Sequence, residues 1–217
     1  MFYLVHTTLN VENSLKDGFL RSQKSINKIK NNNINNDSIL DTDKYYSNLP
    51  YVYTILVKMD NIKKYSTSLG SSRTSMIFDI SLLLDRIFTL NLEHYGYPTD
   101  NTYDGRKLNM NELMDILTDY YNQIEENKKL LPKYKLYNNR GTDHGEIIFK
   151  SKIDLKRYLL KIYIVLDEYY DDPYYYKNKN KRDEKLINIV DIVKKNYKNV
   201  DVVLFTFKNS GNYKLGF

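Results

Sequence analysis

Short runs of alternating apolar, aromatic and β-branched residues recur along this chain, and the clearest, Tyr51 to Val57, begins just after Pro50, as a strand would. Phe2 to His6 is a second run of strand formers. Thr7 and Thr8 follow, and from Val11 to Leu20 the apolar residues Val11, Leu15 and Phe19 fall at helical spacing, with Gly18 where a helix would end. The opening therefore reads as strand, polar turn and short helix. Met76 to Phe78 predicts a further strand, after which Asp79 or Ser81 can cap a turn over Leu82 to Arg86. Asn109 to Leu130 predicts the strongest helix, its stripe formed by Leu113, Ile116, Leu117, Tyr120 and Ile124. Glu146 to Phe149 and Leu155 to Leu166 read as two strands joined tightly, although the second also admits a helix by periodicity. Leu186, Ile189, Val190, Val193 and Tyr197 mark another amphipathic helix, and Asp201 to Phe207 a closing strand.

Polar segments separate these elements. Residues 24–48 contain Asn31-Asn-Asn-Ile-Asn-Asn36 and predict a flexible Asn-rich loop, while Tyr65 to Ser75 and Glu93 to Leu108 read as polar connections. Residues 167–185 pass from an acidic, Tyr-rich run to a basic one, the pattern of a solvated charged loop. The order lacks the regular strand-helix alternation of a doubly wound sheet. It predicts one α+β domain over residues 1–217, a length suited to a single core.

Composition changes how these residues are weighed. The chain holds 25 Asn, 26 Lys, 19 Ile and 22 Tyr among 217 residues, and no Ala, Cys or Trp. Those four are A/T-codon residues, so the bias points to an AT-rich genome, that of a parasite, an endosymbiont or a large DNA virus, more than to the fold. A net charge of +6 favours polyanionic partners, but Lys enrichment of this origin weakens that inference. The lack of Cys removes disulfides and thiolate metal sites. The best apolar stretch, Tyr158 to Leu166, is far short of the roughly 20 residues of a membrane span and contains Lys161. With no signal-like N-terminus, the expectation is a soluble intracellular protein, in host cytoplasm or nucleus if viral.

Phosphate-loop, dinucleotide-fold, zincin and nucleophile-elbow motifs are all missing, and three histidines, His6, His94 and His144, make a poor basis for a metal site, so none is expected. His6 shares a strand face with Phe2 and Leu4 and stands beside the hydroxyls of Thr7 and Thr8, where a purely structural strand would carry Val or Ile. A core histidine bonded to backbone is the plainer alternative. Glu146 begins an apolar strand on the face of Ile148, after Gly145, which permits close approach of a partner or ligand to the backbone. An inward carboxylate there costs free energy unless paired or used, whereas on an edge strand it would be solvated.

His6-Thr7-Thr8, followed by Leu15-Lys-Asp-Gly-Phe-Leu20, together with Gly145-Glu-Ile-Ile-Phe149 and Ile153-Asp-Leu155, resembles the ADP-ribosyltransferases of the His-Tyr-Glu class. The resemblance implies a mixed, mainly antiparallel split β-sheet flanked by helices, NAD as substrate, and a macromolecular acceptor, nucleic acid or protein. It implies that Glu146 is the catalytic carboxylate and that His6, Thr7 and Thr8 hold the dinucleotide. Tyr53 and Tyr65 are then candidates to pack on nicotinamide, alongside Tyr51 and Ser66-Thr-Ser68, and Arg21 or Arg73 would meet the pyrophosphate. The alternative is a non-catalytic effector that binds nucleic acid or a host protein.

Overall fold

The computed structural model describes residues 1–7, 11–22, 51–58, 74–92, 101–130, 145–150, 152–165, 179–205 and 212–213. The expected Asn-rich loop 24–48, the polar stretch 65–73, residues 93–100 and residues 167–178 lie outside the described residues. The elements in chain order are β1 (Phe2–Thr7), α1 (Val11–Asp17), β2 (Phe19–Arg21), β3 (Tyr51–Lys58), β4 (Thr74–Phe78), a 3-10 helix (Ile80–Asp85), β5 (Ile87–Asn91) and β6 (Thr102–Asp104). A second 3-10 helix (Gly105–Lys107), α2 (Met110–Leu130), β7 (Glu146–Lys150), β8 (Lys152–Asp154), α3 (Leu155–Tyr158), β9 (Leu159–Val165), α4 (Lys179–Asn196), β10 (Asp201–Phe205) and β11 (Asn212–Tyr213) follow. The class is α+β, with a large, mainly antiparallel sheet and flanking helices. No helix among the described residues is long and apolar enough to cross a membrane.

By compactness the chain divides into two units, Met1–Leu20 with Val57–Asp79 and Asp154–Phe217, and Arg21–Leu56 with Ile80–Ile153. In the first, the strands lie in the order β11-β10-β9-β4-β1. β4 is antiparallel to both β1 and β9, whereas β9 and β10 run parallel, so the sheet is mixed. A parallel pair needs a crossover, and α4 stands between these two strands in the chain. Leu4, Met76, Phe78 and Ile162 alternate onto one face and are fully buried there. α1 stops at Gly18, whose φ of +77° is a left-handed value and whose N–H donates to the Ser14 carbonyl at 2.9 Å. The Tyr197 hydroxyl, just beyond α4, donates to the Leu15 carbonyl at 2.7 Å and ties that helix end to α1.

In the second unit the order is β3-β7-β5-β6, with every neighbouring pair antiparallel. α2 starts with a reciprocal cap, since Asn109 Oδ1 accepts from the Asn111 and Glu112 N–H groups while Glu112 Oε2 accepts from the Asn109 N–H. Its buried stripe is Leu113, Leu117, Tyr120, Tyr121 and Ile124, so Tyr121 takes part and Ile116 is only half-buried.

Four expectations are corrected. Phe19 and Leu20 leave the helix and form β2, because the positive φ at Gly18 turns the chain. Thr102–Asp104, expected in a loop, pairs with β5. Leu155–Leu166 is not one strand: Asp154 accepts from the Lys156 and Arg157 N–H groups and starts a helical turn, and β9 begins only at Leu159. Residues 179–185, expected in the charged loop, form the first turns of α4.

Candidate functional site

One face of the second unit's sheet presents its side chains in three rows. Strand alternation and register fix them. Across the first row stand Tyr51, Lys150, Ile87 and Asp104: Tyr51 lies opposite Lys150 and Ile87 opposite Asp104, while the Phe88–Phe149 pair sets Ile87 beside Lys150. The second row is Tyr53, Ile148, Thr89 and Thr102, and the third is Ile55, Glu146 and Asn91. Lys150 and Glu146 are four residues apart on β7, about 14 Å at ~3.4 Å per residue.

Glu146 is 4% exposed and Asn91, directly opposite, is 5% exposed. β7 lies between β3 and β5, so of the two placements the sequence left open, inward or on an edge strand, the carboxylate takes the inward one on an interior strand. The start of β7 is held from the opposite face by α2. The Tyr120 hydroxyl donates to the carbonyls of Asn91 at 2.6 Å and Glu146 at 2.9 Å. Gly145 is required by that contact, since a Cβ there would run into the Tyr120 ring and hydroxyl and reach 2.6 Å from Ile124 Cδ1. The close approach expected of a ligand at Gly145 is thus made by the protein's own tyrosine. Burial, together with the nearby Glu146 carboxylate, pushes the Tyr120 hydroxyl far above its ordinary range, so it stays a neutral donor.

The first row opens into a cavity of about 580 Å³, lined by Tyr51, Arg86, Thr89, Arg106, Lys150 and Lys152 among others. Four of its lining side chains are cationic and one, Asp85, is a carboxylate. Arg86 is positioned by two carbonyls, Leu82 (from Nε, 3.0 Å) and Lys152 (from Nη1, 3.1 Å), and its guanidinium carbon lies 5.1 Å from the centre of the Phe149 ring. Arg106 makes a forked pair with Asp104, Nε to Oδ1 at 2.7 Å and Nη2 to Oδ2 at 3.0 Å. That guanidinium holds the Asp104 carboxyl below the usual carboxylate range, and Asp104 in turn raises Arg106. The hydroxyls of Thr89 and Thr102 lie 2.9 Å apart on the floor. Among the described residues no group of three or more His, Asp or Glu is placed to hold a metal ion.

Of the residues singled out in the sequence, Glu146, Tyr53 and Tyr51 share this face, Tyr53 lying diagonal to Glu146 through Ile55 and Tyr51 two residues further along β3. His6 belongs to the first unit, half-buried on β1 opposite Met76, and Thr7 stands opposite Ser75. Thr8, Tyr65, Ser66-Thr-Ser68, Arg73, His94 and His144 lie outside the described residues. Arg21 is on β2. Arg86 and Arg106, which sequence reasoning passed over, are the arginines of the cavity; scarcity was their one signal, with 26 of the 33 basic residues being Lys.

No protein-family model matches the chain, and no curated protein does. Among solved structures it is similar to Thermus sp. 2.9 DarT in complex with ADP-ribosylated ssDNA, at 9% sequence identity over 93% of this chain and 91% of that one, with a TM-score of 0.46.

Proposed function

We propose that this protein is an ADP-ribosyltransferase that takes NAD as substrate and passes ADP-ribose to a macromolecular acceptor, with Glu146 as its catalytic carboxylate. The observation that carries this reading is the burial of Glu146, 4% exposed, on the interior strand of a face that also bears Tyr53. A carboxylate removed from water on a strand otherwise filled by Ile147, Ile148 and Phe149 costs several kcal/mol unless it is paired or its charge is used, and for packing alone an apolar residue would serve better.

In the reaction, the bond between the nicotinamide nitrogen and ribose C1 breaks, and nicotinamide leaves as a neutral base with the bonding pair. The ribose carbon gains oxocarbenium character, which the Glu146 carboxylate stabilises while accepting a hydrogen bond from the 2′-hydroxyl. A nucleophile of the acceptor then bonds to C1 and releases its proton. Tyr53 offers a ring face to nicotinamide. The dinucleotide roles of His6, Thr7, Thr8 and Tyr65 follow from the sequence resemblance. The acceptor is nucleic acid or protein, and the net charge of +6, largely Lys, is compatible with either.

Incubation with NAD labelled in its adenylate, offered single-stranded DNA, RNA and a protein mixture in turn, is the test. Label transfer and nicotinamide release should fall by about 10²- to 10³-fold in Glu146→Gln, the usual size for loss of one electrostatic stabiliser. Equal labelling by the two proteins would remove Glu146 from the chemistry.

A further inference from the structure

The cavity runs along β7 from Ile148, two residues from Glu146, to Lys150, about 14 Å from Glu146 by strand rise, and its cationic end is not used in the step above. We infer that it is a nucleotide-phosphate site, with Arg86, Lys150, Lys152 and Arg106 facing the phosphate and Tyr51 beside the base. The inference stands without the transferase reading.

Three features of the cavity converge on that chemistry. Charge comes first: the four lining cations stand against the Asp85 carboxylate and the Asp104 carboxylate forked to Arg106, which leaves a net positive field for an anion. Preorganisation is second. Arg86 is held by two backbone carbonyls and the Phe149 ring, and Arg106 by the fork of Asp104, so both guanidinium planes are set in place before a ligand arrives. An arginine fork matches two phosphate oxygens, and fixing it in advance lowers the entropy lost on binding. Lys150 lies 6.0 Å from the centre of the Tyr51 ring, at the reach of a cation–π contact, which keeps charge and ring together.

The third feature is the apolar and hydroxyl surface beside the charge. A bare inorganic anion has no use for Tyr51, for Ile87, which is 52% exposed on the same row, or for the Thr89–Thr102 hydroxyl pair below them. A nucleotide uses all of them, the base lying against Tyr51 and Ile87 and the hydroxyls meeting sugar or base edges. A volume of about 580 Å³ is also of nucleotide size. The nucleotide can arrive free or as one unit of a single strand, and the chemistry of the cavity is the same in both.

Binding of pyrophosphate, ADP and a fluorescein-labelled oligothymidylate to the full chain, by calorimetry and anisotropy at 50 and 200 mM salt, tests this. ADP or the oligonucleotide should bind more tightly than pyrophosphate. Replacing Lys150 and Lys152 together by Gln should weaken binding at least tenfold and lower the salt slope by about one to two. Tyr51→Ala should weaken ADP and the oligonucleotide by about 5- to 150-fold, the equivalent of one stacked base, and leave pyrophosphate unchanged. A tenfold preference for the oligonucleotide identifies a strand as the source, and the reverse preference a free nucleotide. Absence of binding by all three probes at 50 mM salt overturns the inference, as does binding that neither the Lys variant nor Tyr51→Ala alters.

Discussion

The Tyr120 hydroxyl donates to the Glu146 carbonyl at 2.9 Å while also reaching the Asn91 carbonyl at 2.6 Å, so one buried phenol on α2 pins the start of the strand that bears the candidate carboxylate. Glu146 and Asn91 are cross-strand neighbours, and a single donor between their carbonyls fixes the spacing of β5 and β7 at that end. Tyr120→Phe removes the donor and leaves two buried acceptors. A loss of about 1–3 kcal/mol is expected, seen as a lower urea midpoint with an unchanged slope and unchanged far-UV circular dichroism. A midpoint within experimental error of wild type would show that the bond does not hold the strand.

Gly145→Ala attacks the same contact from the other side. Its Cβ would overlap the Tyr120 ring, and the neighbours that must give way belong to a helix whose stripe is buried. Overpacking of this kind costs about 1–3 kcal/mol. If Tyr120 is the cause, the double variant Gly145→Ala with Tyr120→Leu should be less destabilised than the sum of the two singles, because both act on one contact. Strict additivity of the measured unfolding free energies would assign the cost to the backbone instead.

These residues show where sequence reasoning reaches and where it stops. Glu146 was legible because a carboxylate opening the apolar run Ile147-Ile148-Phe149 breaks a local pattern, and Gly18 because a helix end asks for a left-handed residue. The cavity was not legible. Arg86 follows the first 3-10 helix and Arg106 lies in the second, and they meet Lys150 only through the registers of β5 with β6 and with β7, which no local pattern encodes. β6 is three residues long, too short for alternation to show although Thr102 and Tyr103 suit a strand, and it is a strand because β5 pairs with it. The first turns of α4 have no apolar stripe to announce them. Lys, Arg and Glu are good helix formers, and the helix extends N-terminally from the segment that Leu186 and Ile189 anchor. At Gly145 the need for space was read correctly and the occupant wrongly, since the contact with Tyr120 spans from α2 to β7.

Stability should fall at alkaline pH through two tyrosines. Burial is the main cause that pushes Tyr197 up to about 12, with Asp154 and Asp17 adding to it, and burial with Glu146 raises Tyr120 further. Both groups hold their protons in the folded chain at a pH where the unfolded chain, titrating near 10, has released them. Stability from this source is therefore fully present below pH 10 and is lost as pH rises, through about 12 for Tyr197. Urea midpoints measured between pH 8 and 11.5 should be flat up to about 10 and then decline. Tyr197→Phe should show a shallower decline than wild type, and an identical one would exclude Tyr197 as a contributor.

The replacement of Glu146 by Gln separates a functional carboxylate from a structural one. Gln keeps the length and one oxygen while removing the charge, so the desolvation cost of a side chain 4% exposed is relieved with little change in packing. If Glu146 is kept for transfer chemistry, the variant should lose activity while its stability holds or rises by up to about 1–2 kcal/mol, the pattern of a site held against the interests of folding. A structural carboxylate predicts the opposite. Its removal would strand the groups bonded to it and cost about 3–5 kcal/mol. Thermal and urea unfolding of the two proteins, set beside the labelling assay, therefore tests the assignment from both sides: a large loss of stability in Glu146→Gln would make Glu146 a structural residue whatever happens to activity.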